Sequence, residues 1–341
     1  MSARHGVAAV FFVASPLHYL AALAAARAHE AGSRRIVVPY RPDARRYVRA
    51  DDWDGVAYAP WPRFEPLPGL FGRHRRLLAN LDTVAAAVGH CDTLHLHSPV
   101  YDTEAINYFL RALPRRCRAG SMHARILPDG VLNLSRHPLD VWRRGAQHLR
   151  RLRRLVSPEL DYWCFSGDRI GSDAPFVDRI YTLAGFPHPY AAEKVVELPP
   201  LARRSDAASS RAALVIGQPL VGIGALAQHD HDEILAQIEN WLATNRCDEV
   251  FYKAHPRDPR HELKPRGATE LQLEGPLELH LAQKSYQAII GVNSTALVLA
   301  RQICGDGAQI LSFGNERVRF ADAKARAAIL DLIDRMNIRR L

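Results

Sequence analysis

Short strand-like runs recur along the first half of this 341-residue chain, at 7–14 (VAAVFFVA), 35–39, 56–59, 93–97 (TLHLH) and 123–127 (HARIL). Between them, apolar positions fall at helical spacing over 17–31, 73–88 and 103–113. Strands that alternate with helices predict a parallel sheet covered on both faces, because each crossover helix must bury its apolar side against the sheet. The pattern lapses in ELPPLARRSDAASSRA (197–212), rich in Pro, Ser, Ala and charge, which reads as a linker. It resumes with strands at 213–219, 249–254, 288–292 and 309–314, helices at 231–244, near 277–284 and at 295–303, and a closing helix over 321–336. The expected fold is α/β, with two Rossmann-like domains, 1–196 and 213–320, facing each other across a cleft. The terminal segment 321–341 is expected to pack back on the N-terminal domain. A chain of this length exceeds one ordinary core, which agrees with two domains.

No run approaches the length of apolar sequence that spans a bilayer. The stretch 7–26 has the apolarity of a leader peptide, but Pro16, His18 and Tyr19 interrupt it, and a strand, turn and helix explain it better. The five cysteines (Cys91, Cys117, Cys164, Cys247, Cys304) are scattered, odd in number and never spaced C-x-x-C. That pattern argues against a disulfide framework and a zinc site and fits a reducing compartment. The expected location is the cytoplasm, extending to peripheral attachment on the inner face of the cytoplasmic membrane.

Charge adds a second theme. The formal net charge of +9 points to anionic partners: nucleic acid, lipid headgroups or phosphorylated substrates. The densest basic run is RRGAQHLRRLRRLV (143–156), preceded by Val141 and Trp142. Trp142, Leu149, Leu152, Leu155 and Val156 fall near one helical face among six arginines. A solvated face, a helix lying on an anionic membrane through 141–156, and an RNA contact all fit this pattern. No recognisable nucleic-acid motif accompanies it, so no specific nucleic acid is expected.

Ligands of open parallel sheets bind at the carboxyl ends of strands, so polar groups there carry the chemistry. In the second half, one strand ends on Gly217-Gln218-Pro219, another on Lys253, His255 and Pro256, and a third on Asn293-Ser294-Thr295 at a helix start. Hydroxyls and unpaired N–H groups at a helix start suit ordinary capping and equally suit a phosphate or carboxylate. A histidine beside such a site is suited to neutralising a departing phosphate. His-Pro also occurs at 137–138 and 188–189, so only its place after a strand distinguishes 255–256. In the first half, Asp129-Gly130 follows an apolar strand and reads as a turn or as a carboxylate at the cleft. Ser15-Pro16 and His97-Ser98-Pro99 end other early strands. HDHDE (229–233) looks like a metal-ligand cluster but sits where acids favour a helix's first turn. Asp52-Trp53-Asp54 has D-x-D spacing but lies in a loop-like stretch far from the phosphate features. No metal is expected.

In order and spacing, SPLHYL (15–20), the Asp129-Gly130 pair, GQPL (217–220), YKAHPRD (252–258) and the Ser294-Thr295 pair resemble the bacterial sialyltransferases that build polysialic acid or cap lipooligosaccharide. The resemblance runs from residue 15 to about residue 300 and implies the two-domain GT-B fold. It implies that His255 protonates the CMP phosphate as it leaves and that Ser294 and Thr295 hold that phosphate or the donor carboxylate. Glu278 would bind the cytidine ribose, with Gly217, Gln218, Lys253, Pro256 and Asn293 on the donor side. Ser15, Pro16 and His97 would stand on the donor or acceptor side. Asp129 falls in the family's acidic-acidic-Gly motif, which supplies the general base, but the first acidic position here is Pro128. The implied activity is inverting transfer of sialic acid from its CMP conjugate to a lipooligosaccharide or capsular glycan, with no cofactor beyond the CMP-sugar. The departure at Pro128 leaves open another CMP-activated ulosonic acid, such as CMP-Kdo. A non-catalytic glycan- or RNA-binding protein on the same fold is the alternative from outside enzymology.

Overall fold

The computed structural model describes residues 5–129, 136–183, 188–199, 201, 211–255, 258–292, 294–320 and 323–341. Two compact units divide the chain, Met1–Pro199 and Pro200–Leu341.

The first unit is built on β1 (His5–Val13), β2 (Arg34–Pro39), β3 (Gly55–Val56), β4 (Cys91–Ser98), β5 (Ser121–Ile126), β6 (Val177–Leu183) and β7 (Val195–Leu198). Its helices are α1 (Pro16–His29), α2 (Gly72–Val88), α3 (Phe109–Arg116) and α4 (Val141–Arg151). The strands form one parallel sheet in the order β3-β2-β1-β4-β5-β6-β7. Ala8 through Val13 are all fully buried, as a central strand covered on both faces requires. Ala8, Val10 and Phe12 join Leu77, Leu81 and Val84 of α2 and Leu110 and Leu113 of α3 in one core. Phe11 points to the opposite face, where its ring stacks on His97 at 4.1 Å. Ser15 turns the chain from β1 into α1: its Oγ accepts the His18 N–H at 3.2 Å, and Pro16 opens the helix.

In the second unit β8 (Ala212–Ile216), β9 (Glu249–Lys253), β10 (Thr269–Glu270), β11 (Ala288–Gly291), β12 (Gln309–Ser312) and β13 (Arg339–Arg340) alternate with α5 (Gln228–Thr244), α6 (Leu277–Gln283), α7 (Thr295–Cys304) and α8 (Ala323–Arg335). The sheet is again parallel, in the order β10-β9-β8-β11-β12-β13. Relabelled from one, this is 3-2-1-4-5-6, the same order as the first six strands of the first unit and that of dinucleotide-binding Rossmann sheets. Ile234, Ile238 and Leu242 of α5 pack on Ala213 and Val215 of β8 and on Tyr252, Ile290 and Leu311.

The periodicity missed β6, β7, β10 and β13. Asp178 and Arg179 break the apolar run of β6, β7 overlaps the start of the composition-defined linker, and β10 and β13 are two-residue edge strands. The helix expected at 103–113 begins only at Phe109. Pairing of β13 with β12 seats the last residues of the chain in the second unit. Among the described residues no helix is long and apolar enough to cross a membrane.

Candidate active site

In the second unit the strand order reverses between β8 and β11, where an open parallel sheet leaves a crevice at its carboxyl edge. Gly217 N–H donates to the Lys253 carbonyl at the end of β9 at 2.9 Å. The Oε1 of Gln218 accepts the N–H of Val292, just past β11, at 3.2 Å. One dipeptide therefore ties together the ends of three adjacent strands. Only glycine fits at 217, since a Cβ there would stand 2.3 Å from Tyr252 Oη and 3.1 Å from the Lys253 carbonyl oxygen.

Tyr252 is buried and its hydroxyl donates to Asp258 Oδ2 at 3.3 Å. Burial, and then the charge of Asp258, push its phenol well above the ordinary range, so it stays a donor. The half-buried His255 lies two residues past β9, and its carbonyl accepts the Asp258 N–H at 2.9 Å. Asp258 is buried and also accepts the Glu262 N–H at 2.9 Å. The Glu262 carboxylate receives the N–H groups of Val221 and Gly222 at 2.7 and 2.8 Å. The segment after His255 and the loop after Gln218 are thus locked to one another. Lys253, half-buried, donates through Nζ to the Ala254 carbonyl at 3.3 Å.

Past β11, Ser294 caps α7, with its Oγ accepting the Ala296 N–H at 3.2 Å and its carbonyl accepting the Leu297 N–H at 3.0 Å. The N-terminal dipole of α7 makes this helix start attractive to an anion. Thr295 is the first residue of α7, with its side chain outside the described residues, as are Pro256 and Asn293. Helix α6 packs against α7 and carries the half-buried Glu278 in its first turn. Gly217, Gln218, Lys253, His255 and Ser294 therefore share one edge of one sheet, and Glu278 sits on a neighbouring helix.

The first unit holds a separate strand-end cluster. His18, in the first turn of α1, places Nε2 2.8 Å from Oδ1 of Asp129, which lies just past β5. The Ala14 N–H donates to His18 Nδ1 at 3.3 Å, so Nε2 carries the ring hydrogen and donates it to the carboxylate. His18 is buried, whereas the Asp129 side chain keeps 29% exposure and stays reachable from solvent. Burial first, and then the charge of Asp129, raise the phenol of Tyr40 at the end of β2 well above its ordinary value. Pro128 is buried and Gly130 lies outside the described residues. The sequence contained His18 within SPLHYL, and the signal that finds it is a histidine three residues after the capping serine, where the first helical turn faces the strand ends. Ser15 and Pro16 form this turn.

His97 belongs elsewhere. It is 0% exposed, stacked between Phe11 and Tyr181, with Nε2 3.2 Å from Glu30 Oε1. Glu30 also meets His95 at 3.0 Å and Arg125, which reaches on to Asp178 at 3.2 Å. The penultimate residue of β4 points into the sheet face, so His97, expected on the donor or acceptor side, lies in a buried polar cluster with Glu30, His95 and Arg125. The D-x-D acids serve local structure: Asp52 accepts from Tyr19 at 2.6 Å and Asp54 from the Arg35 N–H at 2.7 Å. In HDHDE, His231 binds the Glu262 carbonyl at 2.6 Å and Glu233 pairs with Arg317. Among the described residues no group of three or more His, Cys, Asp or Glu is placed to hold a metal ion.

Residues 174–311 match the family model described as Alpha-2,8-polysialyltransferase. The matched segment contains Gly217, Gln218, Lys253, His255, Glu278 and Ser294, and it excludes Ser15, His18 and Asp129. Among solved structures, a sialyltransferase from Photobacterium damsela aligns over 98% of this chain and 81% of its own at 11% identity and a TM-score of 0.51. A Photobacterium 2,6-sialyltransferase, solved with CMP and lactose, aligns over 98% of this chain and 78% of its own at 8% identity and TM-score 0.47. A glycosyltransferase from Streptomyces nogalater aligns over 98% and 96% at 14% identity and TM-score 0.46. Comparison with curated proteins gave no match. The chain thus has the GT-B glycosyltransferase fold, and over residues 174–311 it is similar in sequence to the polysialyltransferases.

Proposed function

We propose that this protein is an inverting, metal-independent glycosyltransferase that moves sialic acid from CMP-sialic acid to a cell-surface glycan, lipooligosaccharide or capsular polysaccharide. The observation that carries the proposal is the joining of three strand ends by Gly217 and Gln218, inside the segment that matches the polysialyltransferase model. In this reading the donor phosphate lies at the Ser294 cap of α7, and Glu278 takes the ribose. As the bond from the anomeric carbon to the phosphate oxygen breaks, His255 gives its proton to the leaving CMP. Asp129, oriented by His18, accepts the proton of the attacking acceptor hydroxyl. The donor carries a single phosphate, so the chemistry needs no metal to bridge a pyrophosphate.

A second reading keeps the nucleotide and changes the sugar. Pro128 stands where the family's first acid is expected, which favours another CMP-activated ulosonic acid such as CMP-Kdo. Thermal-shift measurements with CMP, UDP, GDP and ADP test the nucleotide class, and CMP release from CMP-sialic acid and CMP-Kdo with glycan acceptors tests the sugar. CMP should stabilise the protein most, and His255→Ala should slow turnover about 10²–10⁴-fold. Preference for UDP or GDP, or near-normal turnover by His255→Ala, would overturn the proposal.

A further inference from the structure

Helix α4 is oriented against the usual rule for a surface helix, which buries its apolar stripe and exposes its charges. Its inward side is polar. Gln147 is buried and accepts the Phe165 N–H at 2.7 Å; Arg150 reaches Tyr162 Oη at 3.1 Å and Asp102 at 3.8 Å; and Arg151 binds Asp161 at 3.2 Å. Beyond the helix, Arg153 pairs with Glu104 and binds Tyr108 Oη at 2.9 Å. These pairs fix the segment polar side down, and Trp142 (89% exposed), Leu149, Leu155 and Val156 stand in solvent.

A second element adds to the same surface. His74 Nε2 lies 2.8 Å from the Ser157 hydroxyl, so the start of α2 abuts the end of the arginine-rich segment. Immediately before α2, the loop 67–72 holds Leu70 and Phe71 at 86% and 79% exposure. The loop is closed tightly: Leu67 N–H donates to the Gly72 carbonyl at 3.2 Å, and a Cβ on Gly72 would stand 1.8 Å from the Leu67 carbonyl oxygen. Phe71 sits in the left-handed region at φ 56°, which a bulky residue seldom adopts. Arg73, Arg75, Arg143, Arg144 and Arg154 are exposed and lie within a few residues of the outward apolar groups along the chain.

We propose that these two elements form a single docking surface for an anionic lipid bilayer, with the tips of loop 67–72 and of segment 141–156 entering the headgroup–acyl boundary and the arginines meeting lipid phosphates. Charge complementarity selects this occupant: the exposed arginines carry one sign and stand among exposed Leu, Trp, Phe and Val, the composition of interfacial segments that bind anionic lipid. The proposal does not depend on the donor chemistry.

Flotation of the full chain with phosphatidylcholine vesicles, with and without phosphatidylglycerol, tests it. Binding should require phosphatidylglycerol and weaken with salt. Trp142→Ser/Leu155→Ser and, separately, Leu70→Ser/Phe71→Asn should each lower partitioning about tenfold or more, as expected when two large apolar groups leave an apolar environment. Both variants should keep the wild-type unfolding temperature, since the changed side chains are exposed. Absence of vesicle binding, equal binding to neutral vesicles, or full binding by the Leu70→Ser/Phe71→Asn variant would overturn the two-element surface. A dimer in sedimentation velocity that Trp142→Ser dissociates, or RNA binding in place of vesicle binding, would reassign it to another occupant and overturn it equally.

Discussion

Gly217→Ala probes the junction of the three strand ends without touching a reacting group. The new Cβ would stand 2.3 Å from Tyr252 Oη and 2.8 Å from Tyr252 Cζ, where nonbonded contacts are about 3.5–4 Å. Tyr252 is fully buried and its hydroxyl is held by Asp258, so the ring cannot swing away without losing that bond. Overpacking of this kind costs about 1–3 kcal/mol and the lost hydrogen bond about 1 kcal/mol, or about 2–4 kcal/mol together. In a Tyr252→Phe background the nearest atom is the ring carbon at 2.8 Å, so the clash is reduced and the hydroxyl's bond is already gone. Gly217→Ala should then cost less, with a coupling energy of about 1–2 kcal/mol. Urea unfolding of the four proteins of this double-mutant cycle, compared at constant m, measures it. A Gly217→Ala protein as stable as wild type, or strictly additive effects, would refute the steric reasoning.

Two further outcomes follow from the first unit. Asp129→Asn should reduce transferase turnover about 10²–10⁴-fold, and His18→Asn should produce a smaller loss in kcat with donor KM unchanged; steady-state kinetics with wild-type rates for His18→Asn would remove the dyad from catalysis. The buried cluster around Glu30 should make the fold sensitive to acid. Burial lowers the His97 imidazole to about 4, against the opposing hydrogen bond and charge of Glu30. The unfolded chain then binds a proton near pH 6.5 that the folded chain refuses until about pH 4, so stability falls as pH drops through that window, by about 3 kcal/mol for the full shift. Glu30 adds to the loss at lower pH: burial alone would raise its carboxyl, but hydrogen bonds with His95, His97 and Ser33 hold it well below the ordinary range. His97→Gln should flatten the urea midpoint between pH 6.5 and 4, and an unchanged slope would contradict this assignment.

The Rossmann alternation was legible because β1, β8 and β11 are buried on both faces and read as apolar runs. Strands such as β6, carrying Asp178 and Arg179 at its start, were not, because part of their burial is ionic: Asp178 answers Arg125 across the sheet, and period-based reading discounts both. At the strand ends, the His255 and Ser294 motifs were legible since each follows an apolar strand directly. His18 was hidden because its partner is 111 residues away, and only the sheet order brings α1 and the end of β5 together. His97 was placed on the donor or acceptor side because it stands near the end of a strand, yet the alternation of side chains along β4 points it, with His95, to the covered face, where both meet Glu30.

A crystal structure of the CMP complex tests the central claim most directly. The account predicts the phosphate within hydrogen-bond distance of Ser294 Oγ and of the His255 imidazole, with the ribose at Glu278. CMP bound away from the carboxyl ends of β8, β9 and β11, or no CMP bound at saturating concentration, would contradict it.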